Sequence, residues 1–204
     1  MNTTLNEIRA HSPCADGWRK LLTHMGKSAA DDELLPIATV LDSNGLDDAL
    51  WCLRAVTGHD HEIRLYAVWC AQQVAHMMTD QRSIGALKVA ERYANGLASK
   101  EELAAAWASA VGAGGDALWS AAWAAAWAAA GGAGWAATGA TGAAAWSAAW
   151  SAAWSAGDSG GAAAGDSAWD AAGDAAKDKQ SAELRRVCLC IDSGTDPYPI
   201  KESA

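Results

Sequence analysis

From Ala117 to Ala156 the chain runs through forty residues of alanine, tryptophan, glycine, serine and threonine, with one leucine and no charged side chain. Alanine has the highest helix propensity and loses no side-chain entropy on folding, so such a run favours helix wherever glycine does not interrupt it. Within it stand two near-copies of one pattern, Trp119-Ser-Ala-Ala-Trp123-Ala-Ala-Ala-Trp127 and Trp146-Ser-Ala-Ala-Trp150-Ser-Ala-Ala-Trp154. Tryptophan at i, i+4 and i+8 drifts only about 40° per step around a helix of 3.6 residues per turn, so each triplet draws one indole stripe along an alanine cylinder. The expected fold is therefore all-α: a multi-helix stack or bundle whose C-terminal half carries an Ala/Trp-rich helical repeat.

The stripes have two readings. Trp119, Trp123, Trp127, Trp146, Trp150 and Trp154 either pack as core knobs between alanine helices or form an exposed aromatic surface for a partner. Burial of an indole stabilises by a few kcal/mol, whereas six exposed indoles would form a large apolar patch of the kind found at interfaces. Core packing is the default. The hydroxyls of Ser120, Ser147, Ser151 and Thr141 are then candidate acceptors for the indole N–H groups.

The N-terminal half is conventional in composition and clearly punctuated. Trp18 to Met25 reads as a short helix stopped by Gly26, and Pro36 suits the first turn of a helix running to about Leu41. Ser43-Asn44-Gly45 reads as a turn, with Ser43 or Asn44 capping a helix from Leu46 to Val56 that Gly58 ends. Asp60 to Met78 is apolar on nearly every face, as a central helix should be. Arg64 stands out near its start, and Asp47, Asp48 or Asp60 is its expected ion-pair partner. Asp80 caps a helix from Gln81 to Ala94, Asn95-Gly96 ends it, and Ser99 with Glu102 forms a capping box for the next. Glycine clusters near 112–115, 131–134, 139–142 and 157–165 divide the alanine-rich segment, and an amphipathic helix from about Asp178 to Ile191 closes the stack. The expected division is 1–98, an N-terminal helical part; 99–191, an Ala/Trp-rich part packed on it in one continuous domain; and 192–204, a tail.

A formal charge of −9 and a pI near 4.9 argue against a nucleic-acid partner, since a phosphate backbone needs a basic footprint. An acidic surface favours basic proteins through faster encounter. The five cysteines are odd in number and scattered, which fits a reducing, cytoplasmic setting. Cys52 and Cys70 fall in apolar helical patterns and read as small core residues. The uncharged run exceeds the roughly 20 residues of a membrane span. Alanine and glycine carry little transfer energy, however, and Asp116 and Asp158 flank it where cations would anchor a span, so no membrane partner is expected.

No catalytic constellation emerges. His59 and His61 diverge by about 200° on a helix, and no zinc-ligand spacing, phosphate loop or nucleophile elbow is present, so neither metal nor cofactor is expected.

Three ordered blocks carry a resemblance: Asp42-Ser-Asn-Gly-Leu-Asp-Asp-Ala-Leu-Trp-Cys-Leu-Arg54, Ile63-Arg-Leu-Tyr-Ala-Val-Trp-Cys-Ala71 and Val89-Ala-Glu-Arg-Tyr-Ala-Asn-Gly96, which leads into the alanine-tryptophan helices. In these, and across about Trp18 to Ala176, the chain resembles the immunity-protein family of the Imm-5-like domain. The resemblance implies an all-helical fold and a non-enzymatic protein that binds and neutralises a protein toxin or effector; it implies no catalytic residue. Two other readings stand beside it: a small-molecule, nucleotide-like binder that uses indole faces as a pocket, and a structural module of a phage or mobile element. A homo-oligomer is compatible with each.

Overall fold

Local signals set most helix ends, and long-range pairs bring the helices together. The computed structural model describes residues 1–73, 75–77, 80–111 and 162–199. The six striped tryptophans and the glycine clusters between them lie outside these residues. The described elements are mostly helical: α1 (Leu5–Ala10), α2 (Ala15–His24), α3 (Ile37–Asn44), α4 (Leu46–Cys52), α5 (Asp60–Gln72), α6 (Gln81–Ala94), α7 (Lys100–Val111) and α8 (Ala162–Asp192). Short 3-10 turns occupy Leu53–Ala55 and Ala75–Met77.

Side-chain caps fix several of these starts. The Thr4 hydroxyl accepts from the Glu7 N–H at the head of α1, and the Asp80 carboxylate accepts from the Arg82 N–H at the head of α6. At α7 the capping box is complete: the Ser99 N–H donates to Glu102 at 2.7 Å and the Glu102 N–H donates to the Ser99 hydroxyl at 3.2 Å. Between α3 and α4 the expectation of a Ser43 or Asn44 cap is corrected. Gly45, at φ +93°, makes the break with no side-chain cap. Asn44 instead spends its amide on the Gly17 carbonyl and the Asp48 carboxylate, tying α2 to α4.

One element departs from the all-helical expectation. Asn2–Thr4 (β1) pairs antiparallel with Leu34–Pro36 (β2), Thr3 standing opposite Leu35. Three-residue strands carry too little alternation to be read from a pattern. What holds β1 is tertiary: Thr3 is buried and its hydroxyl donates to the Ala55 carbonyl at 2.7 Å.

The core forms around α5, whose Ile63, Leu65, Tyr66, Ala67, Val68, Cys70 and Ala71 are all buried. Helix α6 packs on one side of it and α8 on another, while α8 also touches α3 and α4. Helix α8 presents Gln180, Glu183, Leu184, Val187 and Cys188 to the interior. That i, i+3, i+4, i+7, i+8 spacing is one stripe of a helix. The closing helix thus starts at Ala162 rather than near Asp178, running through Gly165 and Gly173. Each glycine costs a helix about 1 kcal/mol relative to alanine, and the surrounding alanines with the packed C-terminal half of α8 offset that.

Truncation at the buried stripe should therefore be far costlier than truncation across the helix. Leu184→Ala is expected to lower unfolding free energy by about 2–5 kcal/mol, and Leu189→Ala, at a side chain 61 % exposed, by under about 0.5 kcal/mol. Equal midpoints for the two variants in urea would overturn this orientation of α8. Ser99→Ala should cost about 1 kcal/mol through the lost cap, read in the same titration.

Candidate functional site

Of the residues singled out from sequence, Trp119, Trp123, Trp127, Trp146, Trp150 and Trp154 fall outside the described residues. The four members of the candidate ion pair are all described. Arg64 places Nη2 3.8 Å from the Asp60 carboxylate, one helical turn away, and lays its guanidinium over the Tyr93 ring at 5.6 Å. Asp47 and Asp48 go elsewhere. Asp47 lies 3.5 Å from Lys177 Nζ, and Asp48 accepts from Asn44 at 2.7 Å, because the first turn of α4 faces α8 and the α3–α4 break rather than the head of α5.

A wide concavity opens beside α5, on the side where it meets α6. It is a groove of about 540 Å³ between α5, the C-terminal end of α6 and the tail after α8. Leu65, Val68 and Trp69 form an apolar floor, and Arg92 and Leu97 stand on one rim. Leu97 is 60 % exposed, an unusual position for a large aliphatic side chain two residues past the α6 C-cap Asn95. Arg92 is held there by the Leu97 carbonyl at 2.8 Å and by Glu102 at 3.5 Å. Trp69 is half-buried and stacks on Tyr66 with ring centroids 6.4 Å apart.

The far rim is the tail itself, Pro197-Tyr198-Pro199. Its position is set by a polar clasp on α8. Glu183 takes two hydrogen bonds from Arg186, at 2.7 and 2.8 Å, and a third from the Tyr198 hydroxyl at 2.9 Å. Arg186 also donates to the Pro197 carbonyl at 3.0 Å and lies 5.3 Å from the Tyr198 ring centre. Burial acts to raise the Glu183 pKa, but the Arg186 and Tyr198 hydrogen bonds outweigh it, and the carboxyl stays below its ordinary value. A carboxylate with three hydrogen-bond donors, two of them on a cation, is satisfied despite its burial, so the clasp is structural as well as rim-forming.

Three of the cysteines are buried thiols held in the protonated form. Burial pushes the Cys52 thiol up to about 12 and Cys188 up to about 11, and drives Cys70 upward as well. Such thiols stay protonated at neutral pH. Among the described residues no cluster of three or more His, Cys, Asp or Glu side chains is placed to hold a metal ion, and no helix is long and apolar enough to cross a membrane.

The groove was not legible in sequence, because its residues come from three segments far apart in the chain. Tyr198 as the third partner of Glu183 and Arg186, and Leu97 as an exposed rim residue, depend on where the tail and the α6–α7 turn are laid.

Two outcomes follow from this geometry. In a timed alkylation at neutral pH, exposed Cys14 should be modified well before Cys52, Cys70 and Cys188, as read by peptide mass spectrometry; equal rates at Cys14 and Cys52 would contradict the packing. Because the folded Glu183 pKa is depressed, its stabilisation is full above the ordinary carboxyl value of 4.5 and is lost as pH falls through the lower folded value. Hydrogen exchange at residues 195–199 should accelerate on that acid limb, and Glu183→Gln should show the faster exchange already at neutral pH.

Compared with known proteins, the chain matches no protein-family model, no characterised protein and no solved structure.

Proposed function

We propose that this chain acts by stoichiometric binding, as an immunity- or inhibitor-type protein that holds a protein toxin or effector inactive without turnover. The observation that carries the reading is the groove. An open concavity with an apolar floor, an indole, an exposed leucine and a charged rim has the make-up of a surface that takes a segment of another polypeptide. The net charge of −9 favours a basic partner and makes its encounter sensitive to salt. The likeness of the Asp42–Arg54, Ile63–Ala71 and Val89–Gly96 blocks to immunity proteins points the same way. A cytoplasmic setting accords with the scattered, unpaired cysteines.

The groove's volume also lies in the roughly 300–1,000 Å³ range of small-molecule sites, which favours a nucleotide-like ligand as the second reading. Capture from cells of the source organism separates the two when followed by an activity assay of the captured protein. A protein whose activity falls in proportion to added chain, and which Leu97→Asp no longer captures, is the expected result. Leu97 is exposed, so this change leaves the fold intact. The on-rate of that partner should fall steeply as ionic strength rises, with the off-rate little changed. Absence of any inhibited partner, together with saturable nucleotide binding that Trp69→Ala abolishes, would replace the leading reading with the second.

A further inference from the structure

A second concavity has a different chemistry. It is a small cleft of about 90 Å³ between α1, α2, α3 and α4, walled by Trp18 and Trp51 and reached by Asn44 and Asp48. By the same measure a single water needs roughly 10–15 Å³, so the cleft admits a group of a few heavy atoms and nothing larger.

Asp48 is half-buried, and its carboxylate takes one hydrogen bond, from the Asn44 amide at 2.7 Å, and forms no ion pair among the described residues. The other charges nearby are engaged. Asp16 pairs with Arg19 at 3.1 Å, and Lys20 Nζ lies 3.5 Å from the Asn44 carbonyl. The Arg54 guanidinium rests 4.3 Å from the centre of the Trp51 ring, with its Nε on the Trp51 carbonyl. Room for the carboxylate is secured by Gly17, in the first turn of α2, where a Cβ would stand 2.7 Å from Asp48 Oδ2. Glycine in a helix is unfavourable, so the sequence tolerates a local cost at the point where a larger residue would displace the carboxylate.

Two indoles beside one carboxylate without a cationic partner are complementary to a positive charge spread over methyl or methylene groups. The indole faces attract it through their quadrupoles, and the carboxylate supplies the countercharge. Trp51 already carries one cation in this way, Arg54. We infer that the Trp18–Trp51–Asp48 cleft is a binding site for a compact alkylammonium group. The group belongs either to a small quaternary amine or to a lysine side chain, and the site is separate from the groove and independent of the function proposed for it.

The test uses the full chain labelled with 15N, following the indole N–H resonances of Trp18 and Trp51, assigned from Trp18→Phe and Trp51→Phe. Choline and an Nα-acetyl, C-amidated lysine are titrated as the two sources of the ammonium group. The uncharged carbon isostere of choline, 3,3-dimethylbutan-1-ol, is the control for apolar filling. Saturable shifts of both indoles are expected with at least one of the ammonium probes. The isostere should bind about tenfold more weakly or not at all. Asp48→Asn and Trp18→Leu should each weaken binding several-fold. Gly17→Ala, which removes neither charge nor ring, should do the same by displacing the carboxylate, and it keeps the test decisive if Asp48→Asn fails to fold. Equal binding of the isostere, shifts that the three variants leave unaltered, or no saturation with either ammonium probe would overturn the assignment.

Discussion

The contact on which the rest depends is the seating of α8 against α5. Tyr66, wholly buried, donates its hydroxyl to the Gln180 carbonyl at 3.1 Å across 114 residues of sequence, while Leu184, Val187 and Cys188 fill the space beside it. A buried phenol without an acceptor would cost about as much as the hydrogen bond is worth, so the seating of α8 is specified to within the reach of one hydroxyl. The entropic cost of closing so long a loop grows only slowly with its length. A modest apolar stripe on α8 is thus enough to hold the two ends of the chain together.

Once α8 is seated, its outward partners follow. Arg185 pairs with Asp42 on α3, Lys177 reaches Asp47 on α4, and the Met1 nitrogen meets Asp192 at the end of α8. The first two are exposed pairs of small energetic weight, and they set register more than they add stability. The Glu183–Arg186–Tyr198 clasp differs because Glu183 is buried and fully paired. It directs the tail back over α8 and makes it one wall of the groove. The same packing that stabilises the fold therefore also shapes the surface proposed to receive a partner.

The two concavities divide the chemistry between them. The groove is wide and apolar-floored, with charge confined to its rim. The α2–α4 cleft is small and aromatic, with a single carboxylate that forms no ion pair among the described residues. They share no lining residue.

Much of the helical layout was written locally. The Asp80 cap, the Ser99–Glu102 box and the glycines after α2 and α6 act within a few residues of where they stand, and the all-round apolar character of Asp60 to Met78 marked a central helix, which the structure ends at Gln72. Arg64 and Asp60, four apart on one helix face, were legible for the same reason. The tertiary structure alone decided what sequence separation conceals. It chose Asp60 over Asp47 and Asp48 by turning α4 toward α8, and it paired β1 with β2 through strands too short for any periodicity. It carried α8 back to Ala162 across two glycines, and it assembled both concavities from segments that no spacing rule connects. Propensity and capping are interactions between near neighbours, so the sequence states them outright. Which carboxylate is left without a cation, and which indole lines a wall, depends on how helices far apart in the chain come to rest against one another.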